Sequence, residues 1–193
     1  MPKPLYQGKL DSFCAVYAVL NALRLTHAIR SARARDILNE TLLALSANPD
    51  LFRAFLYQDT DYLDVVDMML AVQKKHLPLE IKRPFAPGAK PSRDEVWRVI
   101  SDWLGADGER KEGRAAVFRF LRYMSPDKPP INRHWTTAEA ISDTTLRLFD
   151  CSHEAEAILN IPRDKCAVSA EEIDASRPIL IQPDSLRLLR VSV

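Results

Sequence analysis

The chain has 193 residues, enough for one domain with a full-sized core, with or without a substantial insertion. Hydrophobic residues make up 47% and charged residues 27%, and the formal charge is +1, so neither nucleic acid nor an anionic membrane surface is expected as the main partner. No apolar stretch approaches the length of a membrane span, and Met1-Pro2-Lys3-Pro4 lacks the apolar core of a secretory signal, which implies a cytoplasmic protein.

From Phe13 to His27 the chain is almost wholly apolar, which predicts a buried helix that Asp11 or Ser12 can cap. Amphipathic stretches follow at about 31–45, 51–57 and 61–76, with the Asn48-Pro49-Asp50 turn between the first two. Residues 77 to 92 carry Pro78, Pro84, Pro87, Gly88 and Pro91 and are expected to be irregular. Ser92 with Glu95 makes a capping box for a helix through Trp97, Ile100 and Leu104. After a polar loop at 105–113 the hydrophobic period changes to two. Strands are expected at 115–123, 134–141, 145–150, 178–182 and 186–191. Helices first and strands later predict an α+β domain with an antiparallel sheet, in which 30–110 forms a helical insertion.

The cysteines at 14, 151 and 166 are odd in number and have no CxxC spacing. That argues against a disulfide framework and a structural zinc site. Cys14 falls in the first turn of the apolar helix, where backbone N–H groups and the helix dipole favour a thiolate. Such a cysteine is more often simply packed in a core, so its company decides. Gln7 precedes it by seven positions, and its amide can donate to an oxyanion together with the Cys14 backbone N–H.

A base must come from another element. His27 ends the helix that Cys14 begins and is therefore about 20 Å away. His76 suits a helix C-terminus. His153 is a weaker candidate, whereas His134 heads a strand after the Pro129-Pro130 break. A three-residue turn near Ser142-Asp143 puts the even positions of both strands on one face. Asp150 then lies beside or diagonal to His134, where it can orient the imidazole. A two-residue turn would send the two to opposite faces. Asp143 and Asn132 are the substitute orienters, and Cys151 reads as structural.

The stretches from Gln7 through Cys14 to Leu23, and His134-Trp135 through Leu146-Arg147-Leu148-Phe149-Asp150, resemble the papain-like cysteine peptidase superfamily. Within it the chain is most similar to the small bacterial branch that includes the leader-processing peptidase domains of bacteriocin exporters. Phe13 and Ala15 stand where that branch usually has an acidic residue and glycine. The resemblance implies a papain-like fold and a peptide or protein substrate. It also implies that Gln7 serves the oxyanion hole, Cys14 attacks, His134 exchanges protons and Asp150 orients, with no cofactor or metal in the reaction. Two alternatives share these residues: a transglutaminase-like acyltransferase, and a non-catalytic binding module on the same fold. Arg24, Arg30, Arg33 and Arg35 lack an aromatic platform and read as a solvated face rather than a nucleic-acid site. Nothing in the sequence sets the oligomeric state.

Overall fold

The apolar run after Phe13 forms α1 (Cys14–His27), in which Cys14 and nearly every residue from Val16 to Thr26 are buried. The computed structural model describes residues 3–7, 13–57, 60–106, 111–152 and 158–192. The expected caps Asp11 and Ser12 lie outside these, and Phe13 holds the N-cap position without a side-chain cap bond. Three further helices, α2 (Ser31–Ser46), α3 (Pro49–Tyr57) and α4 (Leu63–Gln73), follow the predicted amphipathic stretches. The Asn48-Pro49-Asp50 turn is itself a helix start: Asn48 Oδ1 accepts from Leu51 N at 3.1 Å, and Pro49 fits the first turn, where its missing N–H is not needed.

α5 (Arg93–Leu104) opens as predicted, with Glu95 N donating to Ser92 Oγ at 3.2 Å. The strands are β1 (Leu79–Lys82), β2 (Arg114–Arg122), β3 (Asn132–Ile141), β4 (Thr145–Leu148), β5 (Asn160–Pro162), β6 (Cys166–Ala167), β7 (Ile179–Ile181) and β8 (Arg187–Val191). They make one sheet in the order β1-β8-β2-β3-β4-β5, with β7 paired to β2 and β6. All pairs are antiparallel except β6–β7. β2 is the hub: β3 runs along one edge, while β8 and β7 share the other.

Alternation along β2 and β3 separates two cores. Ala115, Val117 and Trp135 pack with α1 to α4, whereas Ala116, Phe118, Phe120 and Ala138 pack with Val96, Trp97 and Ile100 of α5. The sheet is thus covered on both faces, an α+β arrangement. Residues 30–110 are not a purely helical insertion. β1 lies in the proline-rich stretch expected to be irregular, pairs with β8, and is tied there by Arg190 Nε donating to Glu80 at 2.6 Å. Among the described residues no helix is long and apolar enough to cross a membrane.

Candidate active site

α1 presents Cys14 at its first position, β3 carries His134, and Asp150 follows the end of β4 by two residues. All three are buried, at 7%, 5% and 1% exposure respectively.

The β3–β4 hairpin does not have the expected three-residue turn. Ile141 faces Leu146, and Ser142 N donates to Thr145 O at 2.9 Å, which leaves only Asp143 and Thr144 in the turn. That register alone would put His134 and Asp150 on opposite faces. It is reset one step from the turn: Ala140 faces Arg147 but Ala138 faces Leu148, so Glu139 is an extra residue in β3. The ion pair of Glu139 with Arg147, at 2.8 Å, spans the bulge. Beyond it Phe149 N donates to Thr137 O at 2.7 Å, which sets Asp150 across from Thr136 and diagonal to His134.

The Asp150 carboxylate is fully engaged. Oδ1 accepts from Thr136 Oγ1 at 2.7 Å and from His134 Nε2 at 2.7 Å, and Oδ2 accepts from Ser152 N at 3.2 Å. Burial alone would raise the carboxyl, but these bonds, His134 foremost, hold it at about 2. Burial likewise pushes the imidazole down. Its hydrogen bonds with Asp150, Cys14 and Cys151 outweigh that and raise it well above the ordinary 6.5. An ionised Asp150 can only accept, so Nε2 carries the proton on that side.

The Cys14 side chain is close enough to the same imidazole to help raise it. Cys151 also reaches it: its Sγ lies 3.8 Å from Nε2, 3.5 Å from Cys14 O and 3.6 Å from Trp135 O. Burial pushes this thiol up to about 11. Cys166 is remote from the site, bonded to Pro162 O at 3.3 Å.

Gln7 is anchored beside these groups by its backbone N–H, which donates to Cys151 O at 2.8 Å. Its Oε1 is buried and has no hydrogen-bond partner among the described residues. Asn21, buried two turns along α1 from Cys14, clamps the same segment. Its Oδ1 accepts from Leu5 N at 2.7 Å, and its Nδ2 donates to Leu5 O at 3.1 Å and Phe149 O at 3.5 Å. Ala18, between them on that helix face, accepts from Thr137 Oγ1 at 2.6 Å. Helix, N-terminal segment and the end of β4 are therefore held by polar bonds, not only by packing.

The four residues predicted for the site thus sit together, and among the described residues the other candidates do not join them. His27 is held by Thr26 Oγ1 at 2.7 Å and Pro78 O at 3.3 Å, at the far end of α1. His153 lies outside the described residues. Asp143 is in the hairpin turn, and Asn132 is exposed at the start of β3. Thr136, Asn21 and Ser152 were not predicted. Of these only Asn21 left a signal in the sequence, as a lone amide in an apolar helix seven positions from Cys14. Residues of 30–110 also close on the site: Phe55 of α3 stacks on Phe13 at 4.5 Å and meets Tyr62 edge-on at 5.5 Å.

A scan against protein-family models found no match, and a search of curated proteins found no related sequence.

Proposed function

We propose that this chain is a cysteine hydrolase of papain-like architecture, acting on a peptide or isopeptide bond through Cys14, His134 and Asp150. The observation that carries this reading is the buried His134–Asp150 hydrogen bond at 2.7 Å on a ring that Cys14 also contacts. With Nε2 committed to Asp150, Nδ1 is the nitrogen left to exchange a proton with the thiol. Asp150 fixes the tautomer and stabilises the imidazolium. The Cys14 thiolate attacks the carbonyl carbon. The oxyanion is received by the Cys14 N–H at the helix start and by the Gln7 amide. The imidazolium protonates the departing amine, and the neutral ring then deprotonates the water that releases the acyl group.

Iodoacetamide alkylation of each cysteine, followed by mass spectrometry against pH in wild type and His134→Ala, tests the pair. Cys14 is expected to react well below pH 8 and to lose that reactivity without His134. A Cys14 that stays inert, or reacts as Cys166 does, overturns the assignment and leaves a binding module. Hydrolysis of a peptide library, abolished in Cys14→Ala, then separates hydrolysis from acyl transfer when product amines are counted.

A further inference from the structure

Cys151 has no part in the chemistry above, yet it is completely buried against the ring that performs it. A thiol used only for packing would need no titratable neighbours. This one shares its surroundings with an imidazole and a carboxylate. The ligand atoms that His134, Asp150 and Cys151 can offer all lie within 4.8 Å of one another.

We propose that His134 Nε2, Asp150 Oδ1 and Cys151 Sγ form a zinc site that shuts the active site off. The regulatory half of this inference rests on the function proposed above; the metal site itself does not.

Three donor atoms converge on Nε2, the ring nitrogen that the proposed chemistry leaves to Asp150. Asp150 Oδ1 is 2.7 Å from Nε2, Ser152 Oγ is 3.2 Å from it, and Cys151 Sγ is 3.8 Å from it. Tetrahedral zinc, with bonds of about 2.0 Å to nitrogen and oxygen and about 2.3 Å to sulfur, holds its ligand atoms roughly 3.3–3.6 Å apart. The observed separations fall on either side of that range, so the site forms when Asp150 backs away and Cys151 draws in. A nitrogen, a thiolate and a single carboxylate oxygen select zinc over the harder magnesium and calcium, which prefer oxygen alone. Ser152 Oγ or a water completes four ligands. The Thr136 hydroxyl and the Ser152 N–H already orient the carboxylate, as supporting groups do around metal ligands.

Charge also balances. Zinc displaces one proton from Nε2 and one from the Cys151 thiol, and the carboxylate is already ionised. A dication, two anionic ligands and a neutral imidazole sum to zero, which suits a buried site. An imidazole metallated at Nε2 keeps its remaining proton on Nδ1. It then has no lone pair to take the Cys14 proton, so the nucleophile is silenced without being a ligand.

Cobalt(II), which reports thiolate ligation by a near-ultraviolet charge-transfer band and tetrahedral geometry by strong visible bands, provides the test. The metal-stripped full chain is titrated as wild type, as Cys151→Ser, and as the double variant Cys14→Ala/Cys166→Ala, in which Cys151 is the only thiol. One cobalt per chain with the thiolate band is expected in wild type and in the double variant, and loss of the band in Cys151→Ser. Zinc should displace cobalt and slow Cys14 alkylation in wild type at least tenfold, reversibly with EDTA. Absence of the band in wild type, or its loss in the double variant, overturns the site. The double variant keeps the test decisive if Cys151→Ser does not fold. These spectra need no hydrolysis: protein that cleaves peptide when metal-free but shows no band on cobalt addition removes the zinc site alone, whereas protein that shows the band with cobalt but cleaves nothing when metal-free removes the hydrolase alone.

Discussion

Asp150 lies diagonal to His134 rather than directly across from it, because Thr136 occupies the facing position and Glu139 adds one residue to β3. Direct opposition would crowd the ring against the carboxylate. The diagonal leaves Asp150 Oδ1 equidistant, at 2.7 Å, from a ring nitrogen and a hydroxyl. By leaving Glu139 unpaired, the bulge reconciles a two-residue turn with the pairing that holds Asp150 on the face of the imidazole. Bulges beside active sites commonly re-aim a side chain in this way.

Deleting Glu139 should remove the bulge and leave an unbroken ladder in which the two-residue turn still sets Asp150 across from Thr136, on the face of His134. Peptide hydrolysis should therefore stay well above the level of Cys14→Ala, with far-ultraviolet circular dichroism near that of wild type. The ion pair with Arg147 is lost as well, but Arg147 is half exposed and the pair contributes little. Hydrolysis reduced to the Cys14→Ala level in a folded deletion variant would show that the local bend of the bulge, and not the pairing alone, aims the carboxylate.

The helices and the long strands were legible because their periodicity is strong and their burial one-sided: α1, α2 and α5 begin within a residue or two of the predicted positions. The order Gln7, Cys14, His134, Asp150 was legible as a candidate site, and the fold brings the four into one neighbourhood. The turn was not, since Ser142-Asp143-Thr144-Thr145 accommodates two-residue and longer turns alike. A bulge at Glu139, flanked by two alanines, leaves no mark on the hydrophobic pattern. β1, β5 and β6 were missed for another reason: with 4, 3 and 2 residues they are too short for alternation to register. Their pairing is decided by the longer strands beside them.

Thr136→Val keeps the branched shape and removes the hydroxyl that donates to Asp150. A hydrogen bond to a charged group contributes on the order of 1.5–3 kcal/mol, so chemical denaturation should show a loss of about that size. Hydrolysis should drop less than in Asp150→Asn, where about a hundredfold or more is expected from misorienting the base. An unchanged denaturation midpoint would mean the hydroxyl is dispensable to the carboxylate.

Asn21→Leu breaks the clamp between α1, Leu5 and Phe149 while filling similar volume. It strands the backbone N–H and C=O of Leu5, and a buried unpaired polar group costs about 1–3 kcal/mol. Thermal unfolding should occur at lower temperature, and the segment bearing Gln7 should exchange its amide hydrogens faster. Unaltered exchange at Leu5 to Gln7 would remove Asn21 from any positioning role.

Gln7→Ala separates the proposed oxyanion hole from the proposed nucleophile. Loss of one such donor typically lowers kcat by about 10²–10³. Cys14 alkylation, which forms no oxyanion, should keep its wild-type rate and pH profile. A parallel loss of alkylation would show instead that Gln7 supports the fold of the site through its backbone bond to Cys151 O.

Stability should depend on pH through the His134–Asp150 pair, measured by urea unfolding of wild type and Asp150→Asn with EDTA present. Asp150 is depressed from 3.8 to about 2 in the folded chain, so its contribution is present above 3.8 and is lost as pH falls toward 2. His134 is raised above 6.5, so its contribution is complete below 6.5 and disappears as pH rises through the higher folded value. The two windows overlap between 3.8 and 6.5. There wild type should exceed Asp150→Asn by an amount on the order of 2 kcal/mol, from a shift of just under two pKa units. The gap should narrow on both sides of that window. A gap that instead widens from neutral to alkaline pH would show that the buried imidazole is neutral in the folded chain, and the thiolate–imidazolium pair would lose its basis.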